Sequence, residues 1–515
     1  MWKNEIFEKL NAKQKAALAG GGEKRIERQH AQGKLTARER LELLFDAGTF
    51  TEIGAFVTAR IDEFDAKMKW TPGDSVITGY GKINDRMVFA ASEDFTAFGG
   101  TMGEYHLKKI CMVLDMAFDM RAPFITINDS GGARIEEGIC ALAEMGGLFL
   151  RNTRASGVIP QIAVIMGPCA GGACYSPAIC DFVFMVEKTA TMFITGPQVV
   201  KAAIGETVDA QTLGGASVHG QKSGVAHFLY PDDKTCLEGV KRLLSYLPSN
   251  NASSPPVFAS FVPVDLCRGL QEVVVENRHK CYDMHAVIGA IVDKSSFLEI
   301  HKDFAPNIIV GFGRIDGKTV GFAANQPIYM GGSLDYHASD KLARFIRFCD
   351  CFNIPLVTLV DVPAFLPGKE QEQAGIIRHG AKVLYAYSEA TVPKITLILR
   401  KAYGGAYIAM NSKLMGADIV FAWPIAEIAV MGAEGAVDII FHKELEAAQD
   451  PTEQREKLIR EYEERFITPY IAAERGYVDA VIRPEDTRTT IRDALEALQT
   501  KHGNLPDKKH GNIPL

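Results

Sequence analysis

Apolar residues in this chain fall into short runs separated by glycines and amphipathic stretches, and the same succession is written twice. A β-rich segment from Asp74, DSVITGYGKINDRMVFAASEDF, has a counterpart from Asn307, NIIVGFGRIDGKTVGFAANQ. Each carries a turn pair, Asn84-Asp85 or Asp316-Gly317, that predicts a two-residue hairpin. A Gly-Gly pair then opens an amphipathic helix. In the second copy Leu342, Phe345, Ile346 and Cys349 recur at three-to-four spacing, which places Lys341, Arg344 and Arg347 elsewhere on the turn. A short apolar strand follows, PFITIND or PLVTLVD, ending in Asp129 or Asp361. A second strand (VIPQIAVIM; KITLILR) leads into a further Gly-Gly pair. Alternating strands and helices of this kind predict an α/β class with helices packed on sheet.

The correspondence has a fixed register. Adding 232 takes Gly79, Gly81 and Ala91 to Gly311, Gly313 and Ala323, takes Gly99, Gly100 and Thr101 to Gly331, Gly332 and Ser333, and takes Pro123 and Asp129 to Pro355 and Asp361. The offset then drifts by one, so that Gly171-Gly172 answers Gly404-Gly405. Two unrelated domains of similar grammar would not keep one frame, so the pattern reads as an internal duplication with domains at 1–255 and 256–515. Residues 248–263, PSNNASSPPVFASFVP, have the composition of a linker. The first fifty residues read as a helical arm that braces the first domain, with Thr36 and Glu39 spaced as a capping box. Lys443 to Arg465 reads as a solvated helix pair.

Composition narrows the classes. A chain of 515 residues exceeds one ordinary domain, and 47% hydrophobic with 23% charged residues is that of a soluble globular protein without a membrane-length apolar run. Lys and Arg number 56 against 63 Asp and Glu, a net charge of −7 that offers no broad basic face, so nucleic acid is not an expected partner. The first residues lack a secretory pattern, and a cytoplasmic location is expected. Ten cysteines include no C-x-x-C pair, so neither a disulfide scaffold nor a bound metal is expected.

The 47 glycines matter by position. Gly171-Gly172 and Gly404-Gly405 each follow an apolar strand and precede a small-residue segment that can start a helix. Backbone N–H groups there can point at a ligand, which is how an oxyanion hole is built. A lone pair of this kind would more often serve tight strand–helix packing; its recurrence at equivalent places favours function. No phosphate loop and no G-x-G-x-x-G is present. Ser130 lacks a nucleophile elbow, Cys169 and Cys174 have no activating His or Asn nearby, and His219, His227, His337 and His379 are scattered.

NDSGGARIEEG (Asn128 to Gly138), GPCAGGACYSPA (Gly167 to Ala178), MFITGP (Met192 to Pro197), LVDVPAFLPG (Leu359 to Gly368), IIRHGAK (Ile376 to Lys382), RKAYGGAYIAM (Arg400 to Met410) and AEIAVMGAEGAV (Ala426 to Val437) resemble the biotin-dependent acyl-CoA carboxyltransferase family. The resemblance runs from about residue 20 to the terminal KKHGNIPL. It implies two tandem crotonase-like (ClpP/crotonase) domains and a ring-shaped hexamer, with each active site between the first domain of one subunit and the second of its neighbour. It also implies transfer of a carboxyl group between biotin and the α-carbon of a short-chain acyl-CoA through an enolate. Carried over by motif, Gly171 and Gly172 form one oxyanion hole and Gly405 and Ala406 the other. One serves the thioester enolate and one the ureido oxygen of biotin, in an order the motifs leave open. Arg134, with Gly131 and Gly132, and the Gly196-Pro197 turn are implied to line the coenzyme A side.

The chain carries no Ala-Met-Lys-Met biotin site; AKMKW around Lys67 lacks the first Met and the flanking pattern. Nor does it carry an ATP-grasp glycine loop. Biotin is therefore expected on a separate biotin carboxyl carrier protein, with a biotin carboxylase or a sodium-pumping decarboxylase membrane subunit as further partners. Ile408, Ala364 and Gln373-Ala374 depart from the family pattern beside the acyl pocket, which leaves propionyl-CoA/methylmalonyl-CoA and acetyl-CoA/malonyl-CoA both open as substrate pairs. Two rivals are a biotin-free hydratase, which needs acid/base glutamates near the first hole whereas Glu136 and Glu137 lie on a different motif, and a non-catalytic scaffold for a biotin carrier.

Overall fold

Both turn pairs make hairpins. Ile83 pairs with Arg86 across Asn84-Asp85, and Ile315 with Lys318 across Asp316-Gly317. The four turn residues have φ between 50° and 75°, the mirror-image turn whose twist matches that of the flanking strands. The computed structural model describes residues 3–59, 71–259, 267–503 and 505–515. The AKMKW segment and residues 260–263 of the expected linker lie outside them.

The chain divides into two units, Met1–Ser254 and Pro255–Leu515. In the first, the strands are β1 (Thr51–Ile53), β2 (Val76–Ile83), β3 (Arg86–Glu93), β4 (Phe124–Ser130), β5 (Gln161–Ala170), β6 (Phe182–Val186), β7 (Thr191–Phe193) and β8 (Phe228–Tyr230). They are ordered β1-β2-β3-β4-β5-β6-β8, with β7 joined to β5. In the second, the strands are β9 (Leu298–Ile300), β10 (Ile308–Ile315), β11 (Lys318–Asn325), β12 (Leu356–Val362), β13 (Lys394–Tyr403), β14 (Ile419–Ala422), β15 (Glu427–Ala429) and β16 (Ala480–Val481). Their order is the same, β9-β10-β11-β12-β13-β14-β16 with β15 joined to β13. The first three strands of each sheet are antiparallel and the rest parallel.

The parallel strands β4 and β12 are buried at every position, as a sheet covered on both faces requires. Helices Glu104–Asp119 and Ile139–Ala155 pack together in the first unit, and Tyr336–Cys351 and Ile376–Glu389 in the second. The register of β4 on β5 shifts between Asn128 and Ser130, and that of β12 on β13 between Val360 and Val362. This irregularity sits at the two duplicated aspartates and lets β5 and β13 each pair with two parallel strands in turn.

The spacing of the second helix misplaces one residue. Lys341 is buried, and its Nζ donates to the carbonyls of His301, Phe304, Ala305 and Ile308 at 2.7–3.2 Å. Lys109, 232 residues earlier, holds the carbonyls of Gly73 and Val76 at 2.8 and 2.5 Å. Each lysine pins the loop that feeds the first long strand of its sheet. Burial pushes Lys341 down to about 7 and Lys109 to about 8.

The arm has helices Asn4–Leu18, Glu23–Ala31 and Ala37–Leu44, the last opened by the expected capping box of Thr36 and Glu39. From it Gln29, Lys34 and Arg40 reach the buried Asp129. Among the described residues no helix is long and apolar enough to cross a membrane.

Candidate active site

The two glycine pairs stand at the same joint of the two sheets. β5 ends at Ala170, and Gly171-Gly172 opens a single turn that continues as the helix Tyr175–Ile179. β13 ends at Tyr403, and Gly404-Gly405 opens the helix Gly404–Ala409. The first glycine of each pair has a left-handed backbone, φ 64° at Gly171 and 57° at Gly404, which turns the chain sharply off its strand. The N–H groups of Gly172, Gly405 and Ala406 lie in a first helical turn, where the helix supplies no acceptor. A Cβ on Gly405 would meet nothing nearer than the Phe365 ring at 4.0 Å.

Neighbouring loops complete each joint. A Cβ on Gly132 would stand 2.8 Å from the Ala170 carbonyl, so the Gly131-Gly132 loop lies directly beside the first pair. That loop is held by Gly131 N–H on the Gly99 carbonyl and by Met102 N–H on the Gly132 carbonyl. Phe193 pairs with Ala170, which brings the loop leading to Gly196 along the other side; Gly196 precedes the helix Pro197–Ile204. In the second unit Ala429 pairs with Tyr403, and the Val430 carbonyl lies 3.1 Å from where a Cβ on Gly404 would be. Ile408 is exposed on the short helix after the pair. Ala364 is half-buried, and its carbonyl accepts the Leu334 N–H in the loop that carries Phe365.

Arg134 is placed otherwise than expected. It is 1% exposed. Its guanidinium bonds Asp74 at 2.6 Å, Glu137 at 2.7 Å, the Thr101 carbonyl at 2.8 Å and Ser75 at 3.0 Å, and it stacks on Phe98. With its donors committed inward, it fixes the loop and presents no charge to a ligand. Glu137 is taken up by the same arginine and by the Glu104 N–H. The Cys174 thiol donates to the Cys169 carbonyl at 2.8 Å, a packed role for both. Among the described residues no group of three or more His, Cys, Asp or Glu side chains could hold a metal.

Sequence spacing missed three features. Gly432, which opens the helix Ala433–Ile440, is the counterpart of Gly196 at an offset of 236, a drift that the 233 register of the glycine pairs conceals. Met145 and Phe365 back the two glycine pairs from different elements. Glu93, at the end of β3, is fully buried and accepts the Asp129 N–H at 2.8 Å, while its other oxygen faces His106 Nε2 at 3.7 Å.

Burial pushes Glu93 up to about 8 from 4.5 and His106 well below its usual value, so the facing pair is neutral. The folded chain keeps a proton that the unfolded chain releases between pH 4.5 and about 8. Stability from this group is therefore full below 4.5 and lost as pH rises through about 8, with a slope of about 1.4 kcal/mol per pH unit inside the window. Glu93→Gln is neutral at every pH and removes that slope. Its urea midpoint relative to the parent is expected to climb from pH 5 to pH 8 and then level off; a difference independent of pH would contradict a buried neutral acid.

The carboxyl transferase domain family matches residues 28–513. The carboxyltransferase subunit of propionyl-CoA carboxylase from Haloferax mediterranei is 54% identical over 516 residues, covering 100% of both chains. The α subunit of methylmalonyl-CoA decarboxylase from Propionigenium modestum is 55% identical over 504 residues, covering 98% of this chain and 97% of its own. A crystal structure of transcarboxylase 12S, a hexamer with methylmalonyl-coenzyme A and methylmalonic acid bound, superposes with a TM-score of 0.96 at 51% identity over 100% of this chain and 99% of the other.

Proposed function

The chain belongs to the carboxyl transferase family, and from that premise we propose how its two crotonase-like units divide the work of moving a carboxyl group to or from the α-carbon of an acyl-CoA. The protein is an acyl-CoA carboxyltransferase of the propionyl-CoA/methylmalonyl-CoA type. The observation that carries the reading of the site is the glycine joint built twice with one geometry, at Gly171-Gly172 and Gly404-Gly405.

The reaction builds negative charge on two carbonyl oxygens, one on the thioester and one on a planar urea, so two sets of fixed donors are needed. Gly171 and Gly172 supply one set, and Gly405 and Ala406 the other. Each joint brings backbone N–H groups to a helix start; a Cβ at Gly405 would meet only ordinary van der Waals contact, whereas one at Gly172 would stand 2.8 Å from the Met145 sulfur. Biotin on a carrier protein, when bound, supplies the carboxyl group and the nitrogen that takes the α-proton. The chain's own part is to hold the two oxygens, keep the reactants in register and exclude water. No His or carboxylate of the chain is required as a base, and Glu137 is committed to Arg134. Gly131, Gly132 and the Gly196 turn flank the first joint and bear on the coenzyme A side. Ile408 and Ala364 border the second and bear on acyl-chain choice. The assembly we propose is a hexamer that receives biotin from a carrier protein, working in the cytoplasm with a biotin carboxylase or a decarboxylase membrane subunit.

The test is transfer by the purified chain from methylmalonyl-CoA to free biotin, followed as biotin-dependent formation of propionyl-CoA, with malonyl-CoA in a parallel reaction. Faster turnover of methylmalonyl-CoA is expected. A chain that carboxylates biotin from neither thioester would be a scaffold, and one that prefers malonyl-CoA would reverse the substrate pair.

A further inference from the structure

The two glycine joints share a backbone but are filled from opposite sides. In the first unit the helix Ile139–Ala155 contributes Met145, whose sulfur lies 2.8 Å from where a Cβ on Gly172 would be, and the loop beside it contributes Ala133. In the second unit the loop contributes Phe365 and the helix gives way at Gly380, where a Cβ would stand 3.0 Å from the Phe365 ring. Ala133 and Phe365 are true counterparts. They bridge to Met102 and Leu334, both pairs 232 residues apart. Met145 and Gly380 correspond as well. Four buried positions on the two helices, Ala141, Met145, Leu148 and Asn152, match Ile376, Gly380, Val383 and Tyr387 at an offset of 235.

One volume behind each joint is thus occupied by one large side chain, taken from the helix in one unit and from the loop in the other. The occupant decides how firmly the adjacent peptide is held. A phenylalanine ring, wedged against Gly380 and reaching to 4.0 Å from a Cβ site on Gly405, is a stiff support. A methionine, with three side-chain torsions and a polarizable sulfur, adapts to its surroundings. Resting on the oxyanion-hole reading of the glycine pairs, we propose that Phe365 is the positioning residue of the second hole, acting through the Gly405 peptide, and that Met145 has this role in the first. Neither side chain touches a reacting atom; each sets the direction of an N–H that does. A donor misplaced by a fraction of an ångström loses much of its effect.

The assembled full-length protein is assayed for transfer from methylmalonyl-CoA to free biotin. Phe365→Ala is expected to lower kcat by about 10–100-fold with both KM values changed less than about threefold, because the support is lost while the binding surfaces stay. Phe365→Ala combined with Gly380→Met moves the filler to the helix, as in the first unit, and is expected to recover most of the lost kcat. A double variant no better than Phe365→Ala, or a Phe365→Ala variant with parental kcat, overturns the proposal. If Phe365→Ala does not assemble, Phe365→Leu takes its place and the same rescue is required. Gly405→Pro is measured alongside. Loss of transfer there with parental kcat in Phe365→Ala defeats the positioning role and leaves the hole standing, whereas an active Gly405→Pro defeats the hole itself.

Discussion

Replacing Gly405 with proline is expected to lower kcat for carboxyl transfer by at least about 10²–10³-fold, the usual effect of deleting one oxyanion donor, while assembly and the urea midpoint stay near those of the parent. The backbone conformation and the first added carbon both fit. Gly405 is not among the glycines with positive φ, and its place in the first turn of the helix Gly404–Ala409 suits the fixed φ of proline. No intrahelical bond is lost, since a first-turn N–H has no acceptor within its own helix. The added Cβ meets only the Phe365 ring at 4.0 Å, and the preceding residue, itself a glycine, lacks the Cβ that contributes part of the clash before a proline. Gly405→Ala is the control: it adds the carbon and keeps the N–H, so it retains most of the activity. An alanine variant as inactive as the proline one would assign the loss to crowding. Near-parental kcat in the proline variant, with sedimentation velocity showing the parental assembly, would remove Gly405 from the hole. Gly172→Pro is expected to be equally inactive but also less stable, because its Cβ would press on the Met145 sulfur at 2.8 Å.

What the sequence disclosed follows from which interactions are local. Hairpins at Asn84-Asp85 and Asp316-Gly317, the capping box at Thr36 and the turn at each glycine pair are set by residues within a few positions of one another, and all are present in the structure. The duplication was legible because β2, β3 and β4 keep one spacing from β10, β11 and β12. Past β4 and β12, loops of different length move the offset from 232 to 235 on the buried faces of the next pair of helices and to 236 at Gly432, so residue-by-residue matching lost Met145, Gly380 and Gly432. Lys341 misled for a different reason: helical periodicity treats a lysine as solvated, and nothing in its own helix announces the four carbonyls that hold it. Arg134 sits in a motif that resembles a binding loop, yet its partners Asp74 and Ser75 lie some sixty residues upstream.

The counterions of the duplicated aspartates lead to the second large effect. Asp361 on β12 meets Arg400 from the adjacent strand β13, at 3.1 Å. The residue 233 positions before Arg400 is Gly167, where any Cβ would run into the Asp129 carboxylate. The first unit therefore takes its arginine from the arm. Arg40 Nη1 lies 3.0 Å from Asp129, its Nε 2.8 Å from Asp233 on the helix Asp233–Leu244, and its Nη2 3.2 Å from the Met166 carbonyl. Arg40 is 0% exposed, Asp129 0% and Asp233 3%, so water cannot substitute for a missing partner. Arg40→Met is close in volume and removes the charge from between two buried carboxylates, of which, among the described residues, only Asp129 keeps another cation within ion-pair distance, Lys34 at 2.7 Å. Breaking a buried pair from one side typically costs about 3–5 kcal/mol, and that loss is expected in the urea midpoint of the first unit, followed by circular dichroism. Replacing the stranded acids as well, in Arg40→Met/Asp129→Asn/Asp233→Asn, should restore a large part of it, because the penalty lies in the uncompensated charges and not in the absent arginine. A single variant that loses less than about 1 kcal/mol would mean that the arm does not seal this cluster from solvent.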